Sequence, residues 1–193
     1  MIVSLVACGG GDKAAPTTTA PEGFTVMSDA KEGFALAVPS DWTRVPLKAN
    51  PADFDKDANA LRLANPKLAS ILNQARVLGQ SGGKFMAVAP DGVANVNLTA
   101  DKPKEKTVEE IVTNSIEGLE SFEAENFAQE PATLAGKPAV RLSFRLPVDT
   151  DEGRIPTDEV QYYLLDDGTA YILTVAAAPP EVASAIADSL RLR

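Results

Sequence analysis

The sequence predicts an α+β fold: a mainly antiparallel, twisted sheet with helices on both faces, built as a single domain. Three observations carry this. Apolar runs of strand length recur from Phe24 to Ala177, separated by Gly, Asp and Pro turn signals. Four stretches of helical apolar spacing, each opened by a start signal, alternate with them. One strand, Thr169 to Ala177, is apolar at odd and even positions alike, which places it inside a sheet covered on both sides. A chain of 193 residues has room for one sizeable core rather than two.

In order along the domain, expected to span residues 23–193, Phe24–Met27 and Phe34–Val38 read as a hairpin around Asp29-Ala30-Lys31-Glu32-Gly33, closed by Pro39-Ser40-Asp41-Trp42. Asn50-Pro51 and Asn65-Pro66 each place an N-cap residue before proline, whose missing N–H costs nothing at a first helical position. The first helix buries Phe54, Ala58 and Leu61. The second carries the stripe Leu68, Ile71, Leu72, Ala75 and Leu78, with Gly79 as its stop. Together they form a helical hairpin over residues 50–79. Two short strands follow, Lys84–Ala89 and Val93–Thr99, turned by Pro90-Asp91-Gly92. Thr107 and Glu110 then form a capping box that opens a helix with the stripe Val108, Ile111, Val112, Ile116 and Leu119.

Period-two alternation takes over beyond it. A strand over about Asn126–Thr133 turns at Ala135-Gly136-Lys137 into one where Val140, Leu142, Phe144 and Leu146 alternate with Arg141, Ser143 and Arg145. Pro147 to Thr157 reads as the connection to the next strand. Val160–Leu165 and Thr169–Ala177 flank Asp166-Asp167-Gly168, a tight-turn signal because Asp-Gly tolerates positive φ. Pro180 opens a closing helix with Val182, Ala185, Ile186, Ser189 and Leu190 on its inner side.

The N-terminal stretch states an address. Leu5, Val6 and Ala7 precede Cys8, the sole cysteine, and Gly9-Gly10-Gly11 and a Thr/Pro-rich run to Pro21 follow it. This spacing reads as a bacterial lipobox, with Cys8 the lipidated residue. Residues 1–7 supply only part of a secretory signal, having no Lys or Arg and a short apolar stretch, so a start further upstream is expected. A diacylglyceryl cysteine carries two or three acyl chains, enough for firm anchoring where one chain is marginal. Residues 9–22 read as a disordered tether reaching roughly 45 to 50 Å when extended, at ~3.3–3.6 Å per residue. The expected location is the extracytoplasmic face of the cell membrane. With the only thiol consumed, stability has to come from packing.

Charge and residue types exclude several functions. A formal net charge of −9, from 27 acidic and 18 basic residues, disfavours nucleic acid and a flat approach to anionic lipid. With no histidine in the chain, a Ser-His-Asp triad, a Cys-His pair and an imidazole metal site are all unbuildable. Asp53-Phe54-Asp55-Lys56-Asp57 imitates the start of a calcium loop, yet Ala58 and Ala64 stand where that loop needs glycine and a bidentate glutamate. These acids suit a first helical turn. Asp149-Thr150-Asp151-Glu152-Gly153 reads as a solvated turn. Gln80-Ser81-Gly82-Gly83 lacks the lysine and helix start of a phosphate loop. No catalytic residue, metal site or cofactor is therefore expected.

The remaining candidates are surface features. Trp42 reads as a core residue at a strand end. Tyr162 and Tyr163 must point to opposite faces, one into a helix–sheet interface and the other onto a surface. Asn95 and Asn97 face opposite to Val96 and Leu98, giving a solvated face. Asn95, Asn97 and Tyr163 are the candidate binding surface.

Gly33-Phe34, Pro39 and Trp42 after an N-terminal strand, then Leu134-Ala135-Gly136-Lys137-Pro138-Ala139 opening a long strand, then a tyrosine-bearing hairpin running into a terminal helix, make a pattern that resembles the PsbP-like/Mog-type α/β/α sandwich. With the lipobox and tether, the chain is similar to small actinobacterial cell-envelope lipoproteins of that fold. The resemblance covers roughly residues 23–193, and the hairpin over 50–79 departs from it as an insertion. It implies a binding or assembly role, as known in photosystem assembly and in a Ran-binding transport factor, rather than catalysis. The expected function is a monomeric, lipid-anchored, non-enzymatic module for an envelope or secreted partner. The alternative is a lipoprotein binding a small molecule or cation between the inserted helices and the sheet.

Overall fold

The computed structural model describes residues 14–48, 50–150 and 153–193, with backbone alone at 149 and 150. Leu5, Val6, Ala7 and Cys8, together with the first residues of the tether, lie outside the described residues. Phe24–Asp29 (β1) and Phe34–Pro39 (β2) form the expected hairpin, paired from Phe24↔Pro39 to Asp29↔Phe34. Its turn is set by Asp29, whose Oδ1 accepts from the N–H groups of Lys31 (3.0 Å) and Glu32 (3.1 Å). A two-residue strand at the end of the chain, Arg191–Leu192 (β10), adds to the other edge of β2 and was not legible in the sequence. The result is a three-stranded sheet, β1-β2-β10.

The larger sheet has seven antiparallel strands in the order β3-β4-β5-β9-β8-β7-β6. These are Thr43–Arg44 (β3), Gly83–Val88 (β4), Asn95–Asp101 (β5), Glu125–Leu134 (β6), Lys137–Thr150 (β7), Gly153–Asp166 (β8) and Thr169–Ala176 (β9). β9 takes the central place that its two-sided apolar character requires. Leu173 and Val175 enter one core, Ala170 and Ile172 the other.

One face of the large sheet is covered by the three-stranded sheet and by Pro180–Ser189 (α4), which packs on β2 and β6. The main core lies here, with Phe34 and Phe85 edge to face at 5.5 Å and Trp42 buried among them. The opposite face has two separate covers. Pro51–Ala64 (α1) and Ala69–Gln80 (α2) close over Met86 and Val88 of β4. Val108–Glu120 (α3), opened by the full Thr107/Glu110 capping box, closes over Val140, Leu142 and Phe144 of β7 and Tyr163 of β8.

Three expectations are corrected. Asn65-Pro66 opens a 3-10 turn over Pro66–Leu68 rather than α2 itself, which starts at Ala69. Asn65 is occupied on both sides: its Oδ1 accepts from Lys67 N–H (3.1 Å) and its Nδ2 donates to Pro90 O (2.9 Å), tying the joint between α1 and α2 to the β4–β5 turn. Gly79 does not stop α2; it lies within the helix, where a Cβ would come 2.9 Å from the Lys48 carbonyl oxygen. Close approach of backbone explains the residue. Finally, Pro147 to Thr157 is not a connecting loop. β7 and β8 stay paired out to Thr150↔Gly153, with Pro147 opposite Pro156. β6 pairs with β7 only as far as Arg145, and β9 with β8 only to Glu159, so each strand has a free side there and proline removes no ladder bond. The hairpin thus projects as a two-stranded ribbon over residues 146–150 and 153–157.

Two predictions follow from these joints. β10 is too short to serve the N–H of Ala37, and Ser189 of α4 does so instead: its Oγ accepts from Ala37 N–H at 2.7 Å while donating to Ile186 O at 2.7 Å, in a buried position. Ser189→Ala leaves that N–H unsatisfied and costs about 1–3 kcal/mol in urea denaturation, whereas Ser184→Ala on the exposed side of α4 stays within about 0.5 kcal/mol. At Gly92 (φ +80°) a Cβ would stand 2.2 Å from the Lys67 carbonyl oxygen; at Gly136 (φ +77°) it would meet nothing within 4 Å. Gly136→Ala therefore loses about 1–2 kcal/mol for the left-handed backbone alone. Gly92→Ala loses distinctly more, because the Lys67 backbone between α1 and α2 has to move off the turn. Equal losses would contradict the close contact.

Candidate functional site

Between the two helical covers, the register of the large sheet assembles a polar seam. Reading across the strands, one row runs Met86, Asn97, Thr174, Gln161, Leu142, and the next runs Val88, Asn95, Ala176, Glu159, Phe144. Met86 and Val88 belong to the core under α1 and α2, and Leu142 and Phe144 to that under α3. The amides, hydroxyl and carboxyl lie between, on the central strands β5, β9 and β8. Thr99 continues the polar edge of β5, opposite Ile172.

Asn95 and Asn97 do face away from Val96 and Leu98, which enter the main core. The face is not simply solvated, however. Asn95 is 7% exposed and Thr174 is 9% exposed, while Asn97, Thr99, Glu159 and Gln161 are half-buried. Asn95 Nδ2 donates to Val93 O (3.1 Å). Neither Asn95 Oδ1 nor Thr174 Oγ1 has a hydrogen-bond partner among the described residues. They are not sealed in: among the described residues, only Thr18 Oγ1 and Arg76 Nε are both unpartnered and cut off from solvent. Solvent therefore reaches into the seam.

Tyr163 is a correction. It is 1% exposed beneath α3 and does not lie on an open surface; its hydroxyl hydrogen-bonds the side chain of Gln161. Burial pushes its phenol up to about 12, partly offset by a hydrogen bond with Ser115. Tyr162 is buried in the main core, so neither of the adjacent tyrosines lines a surface. Tyr163 acts on the seam from its α3 side by holding Gln161.

Glu159 is the one carboxyl in these two rows and has no ion-pair or hydrogen-bond partner among the described residues. Burial alone pushes its pKa up to about 7. Sequence reasoning missed Glu159, Gln161 and Thr174. The available signal was Thr174, the polar residue within an otherwise apolar central stretch.

An open depression of about 300 Å³ shares Glu159 and Phe144 with the second row and is lined further by Asn126, Arg141, Ser143, Arg145, Asp158, Val160, Val175, Ala178 and Pro180. Its guanidinium groups are already neutralised: Arg141 pairs with Glu130, and Arg145 with Asp158 at 2.9 Å. The calcium-like acids lie in α1, where Asp55 pairs with Arg76 of α2. The described residues hold no group of three or more acids placed to ligate a metal.

No protein-family model and no curated protein matches the sequence. Among solved structures, the chain is similar to the solution structure of cyanobacterial PsbP (CyanoP) from Synechocystis, with a TM-score of 0.56 and 15% identity over 98% of this chain and 99% of that one. Weaker likenesses are to a Bacteroides thetaiotaomicron protein (TM-score 0.47, 12% identity, 83% of this chain and 45% of that one) and to LpqN of Mycobacterium tuberculosis, described as involved in cell envelope biogenesis (TM-score 0.40, 12% identity, 91% and 89%). The fold is PsbP-like, as the pattern from Gly33 to Trp42 and from Leu134 to Ala139 implies. None of the described helices is long and apolar enough to cross a membrane.

The state of Glu159 has a measurable consequence. Its folded-state pKa lies above the ordinary value of 4.5, so the folded protein holds this proton more tightly than the unfolded chain. The contribution is fully present below pH 4.5 and is lost as pH rises through about 7. Thermal unfolding across that range shows a falling Tm that levels off above it, and Glu159→Gln removes this part of the profile. An unchanged profile in the variant would show that Glu159 titrates normally.

Proposed function

We propose that the chain is a lipid-anchored, extracytoplasmic and non-enzymatic binding or assembly module, held at the membrane by lipid on Cys8 and presenting its sandwich to an envelope or secreted protein. The observation that carries this reading is the projecting ribbon of β7 and β8. Ile155 on the ribbon is 42% exposed, and Phe122, just beyond α3, is 66% exposed. The two are drawn to one end of the molecule by Arg154 and Glu123, which pair at 2.6 Å. A two-stranded ribbon is marginal by itself in water, and exposed aromatic surface next to one is suited to a partner. The net charge of −9 favours a partner whose contact surface is basic around an apolar centre, and opposes self-association and anionic lipid. The lipobox and tether read from the sequence, and the PsbP-like fold, support the same role.

A second reading, a lipoprotein that binds a small ligand, is favoured by the polar seam with its unpartnered Asn95 and Thr174 oxygens.

Two measurements test the first reading. Mass spectrometry of the native N-terminus finds a diacylglyceryl or triacyl Cys8, and Cys8→Ala releases the protein from the membrane fraction; an unmodified Cys8 removes the anchor. Cross-linking in native membranes captures a specific basic partner, and Phe122→Asp with Ile155→Asp abolishes that capture while the far-UV circular dichroism is kept. Capture unaffected by both substitutions would place the contact elsewhere and sink the ribbon as the docking element.

A further inference from the structure

We propose that the seam floored by Asn95, Asn97, Thr174, Gln161 and Glu159 is a binding site for a neutral carbohydrate, a mono- or disaccharide unit held by side-chain amides and hydroxyls. This rests on the small-ligand reading above and names its ligand class.

Three features of the seam select this class. The first is the chemistry of the floor. Asn95, Asn97 and Gln161 each offer a donor and an acceptor, Thr174 a hydroxyl and Glu159 a carboxyl, and no lysine or arginine occupies either row. Vicinal hydroxyls, which donate and accept at once, match carboxamides and carboxyls in this way. An anionic ligand would find no countercharge there. A divalent cation needs several oxygen ligands with more than one carboxylate to offset its dehydration, and Glu159 is the one acid present.

The second is placement. β5, β9 and β8 are inner strands at these residues, with neighbours on both sides. An extended peptide docks by adding a strand at a free sheet edge, and no edge is available here. Recognition has to run through side chains alone.

The third is size and order. Three strands at ~4.8 Å spacing and two rows along them give a floor of roughly 10 by 7 Å, the footprint of one or two sugar rings. Met86 and Val88 on one side and Leu142 and Phe144 on the other are buried under α1 and α2 and under α3, so the floor ends where the helical covers begin. Tyr163, buried beneath α3, holds Gln161 in place through its hydroxyl. Asn95 Oδ1 and Thr174 Oγ1, on side chains more than nine-tenths buried, are open to solvent and unpaired among the described residues. Such groups are satisfied by ordered water or by a ligand that replaces it.

The test titrates the full chain with glucose, N-acetylglucosamine and maltose by calorimetry and thermal shift, alongside glucose 6-phosphate and trialanine. At least one of the three sugars is expected to bind saturably, with a Kd of about 1 mM or tighter. Asn97→Ala and Thr174→Val each weaken it at least about tenfold, the loss that follows removal of one hydrogen bond in a buried site. Thr174→Val keeps shape and β-branching, so it retains the fold if Asn97→Ala does not. Ser143→Ala, on the opposite face of the sheet, leaves the affinity unchanged. Sugar binding that survives both seam substitutions overturns the proposal. Binding of trialanine or glucose 6-phosphate with no sugar bound overturns the carbohydrate assignment and leaves the small-ligand reading standing. No response to any of the five probes overturns the carbohydrate site, while the Cys8 and ribbon measurements stand on their own.

Discussion

The large sheet depends on where β9 lies. β4 and β5 form one antiparallel pair, and β6, β7 and β8 form a meander; β9 hydrogen-bonds to β5 on one side and to β8 on the other, joining them into one sheet. It has to be apolar on both faces, because the three-stranded sheet and α4 lie over one side and the helical covers over the other. Thr174 breaks that rule and faces the seam, where the covers leave a gap. The central strand that unites the core therefore also supplies a polar group to the candidate site.

The same joint explains how much of the protein is carried by contacts distant in sequence. The C-terminal residues Arg191 and Leu192 complete the sheet begun by β1 and β2, and Ser189 serves the backbone of Ala37 where that completing strand runs out. Trp42, Phe34 and Phe85 pack between the two sheets, with Arg44 lying 5.6 Å above the Phe85 ring and paired with Asp29 of the first turn at 3.1 Å. Helices α1 and α2 are fastened in a different way: Asn65 to Pro90, and Gly92 against the carbonyl of Lys67. One is a side-chain amide on a backbone carbonyl and the other a close backbone approach, both at a turn, with a separate apolar cluster beneath them. The α1–α2 pair thus packs over a small core of its own on β4, separate from the main one.

The ribbon and the seam make different demands on a partner. On the ribbon, the strands outrun their neighbours, and both prolines fall where each strand has a free side. Ile155 remains exposed there, with the brace between Arg154 and Glu123 beside it. In the seam, the side chains are polar and mostly buried, so desolvation rather than exposed area governs what binds. Glu159 shows it: with no partner among the described residues, its carboxyl is pushed toward neutrality by burial alone.

Local chemistry was enough for most of the elements. The Asp29 turn, the Asn50 cap, the Thr107/Glu110 box, the Asp167-Gly168 turn and the two-sided apolar character of β9 are decided within a few residues, where capping and positive φ leave a readable mark. The two helical covers, the buried Trp42 and the PsbP-like class follow from the same signals. Tertiary structure decided the rest, because strand adjacency is not a local property. Asn95 and Asn97 were visible as polar positions on one strand, but Thr174, Gln161 and Glu159 come beside them only once β9 inserts between β5 and β8. Tyr163 looked like a surface residue in an alternating strand until α3 covered it. Period-two alternation tells which side of a strand a residue takes; what lies over that side is set by elements tens of residues away.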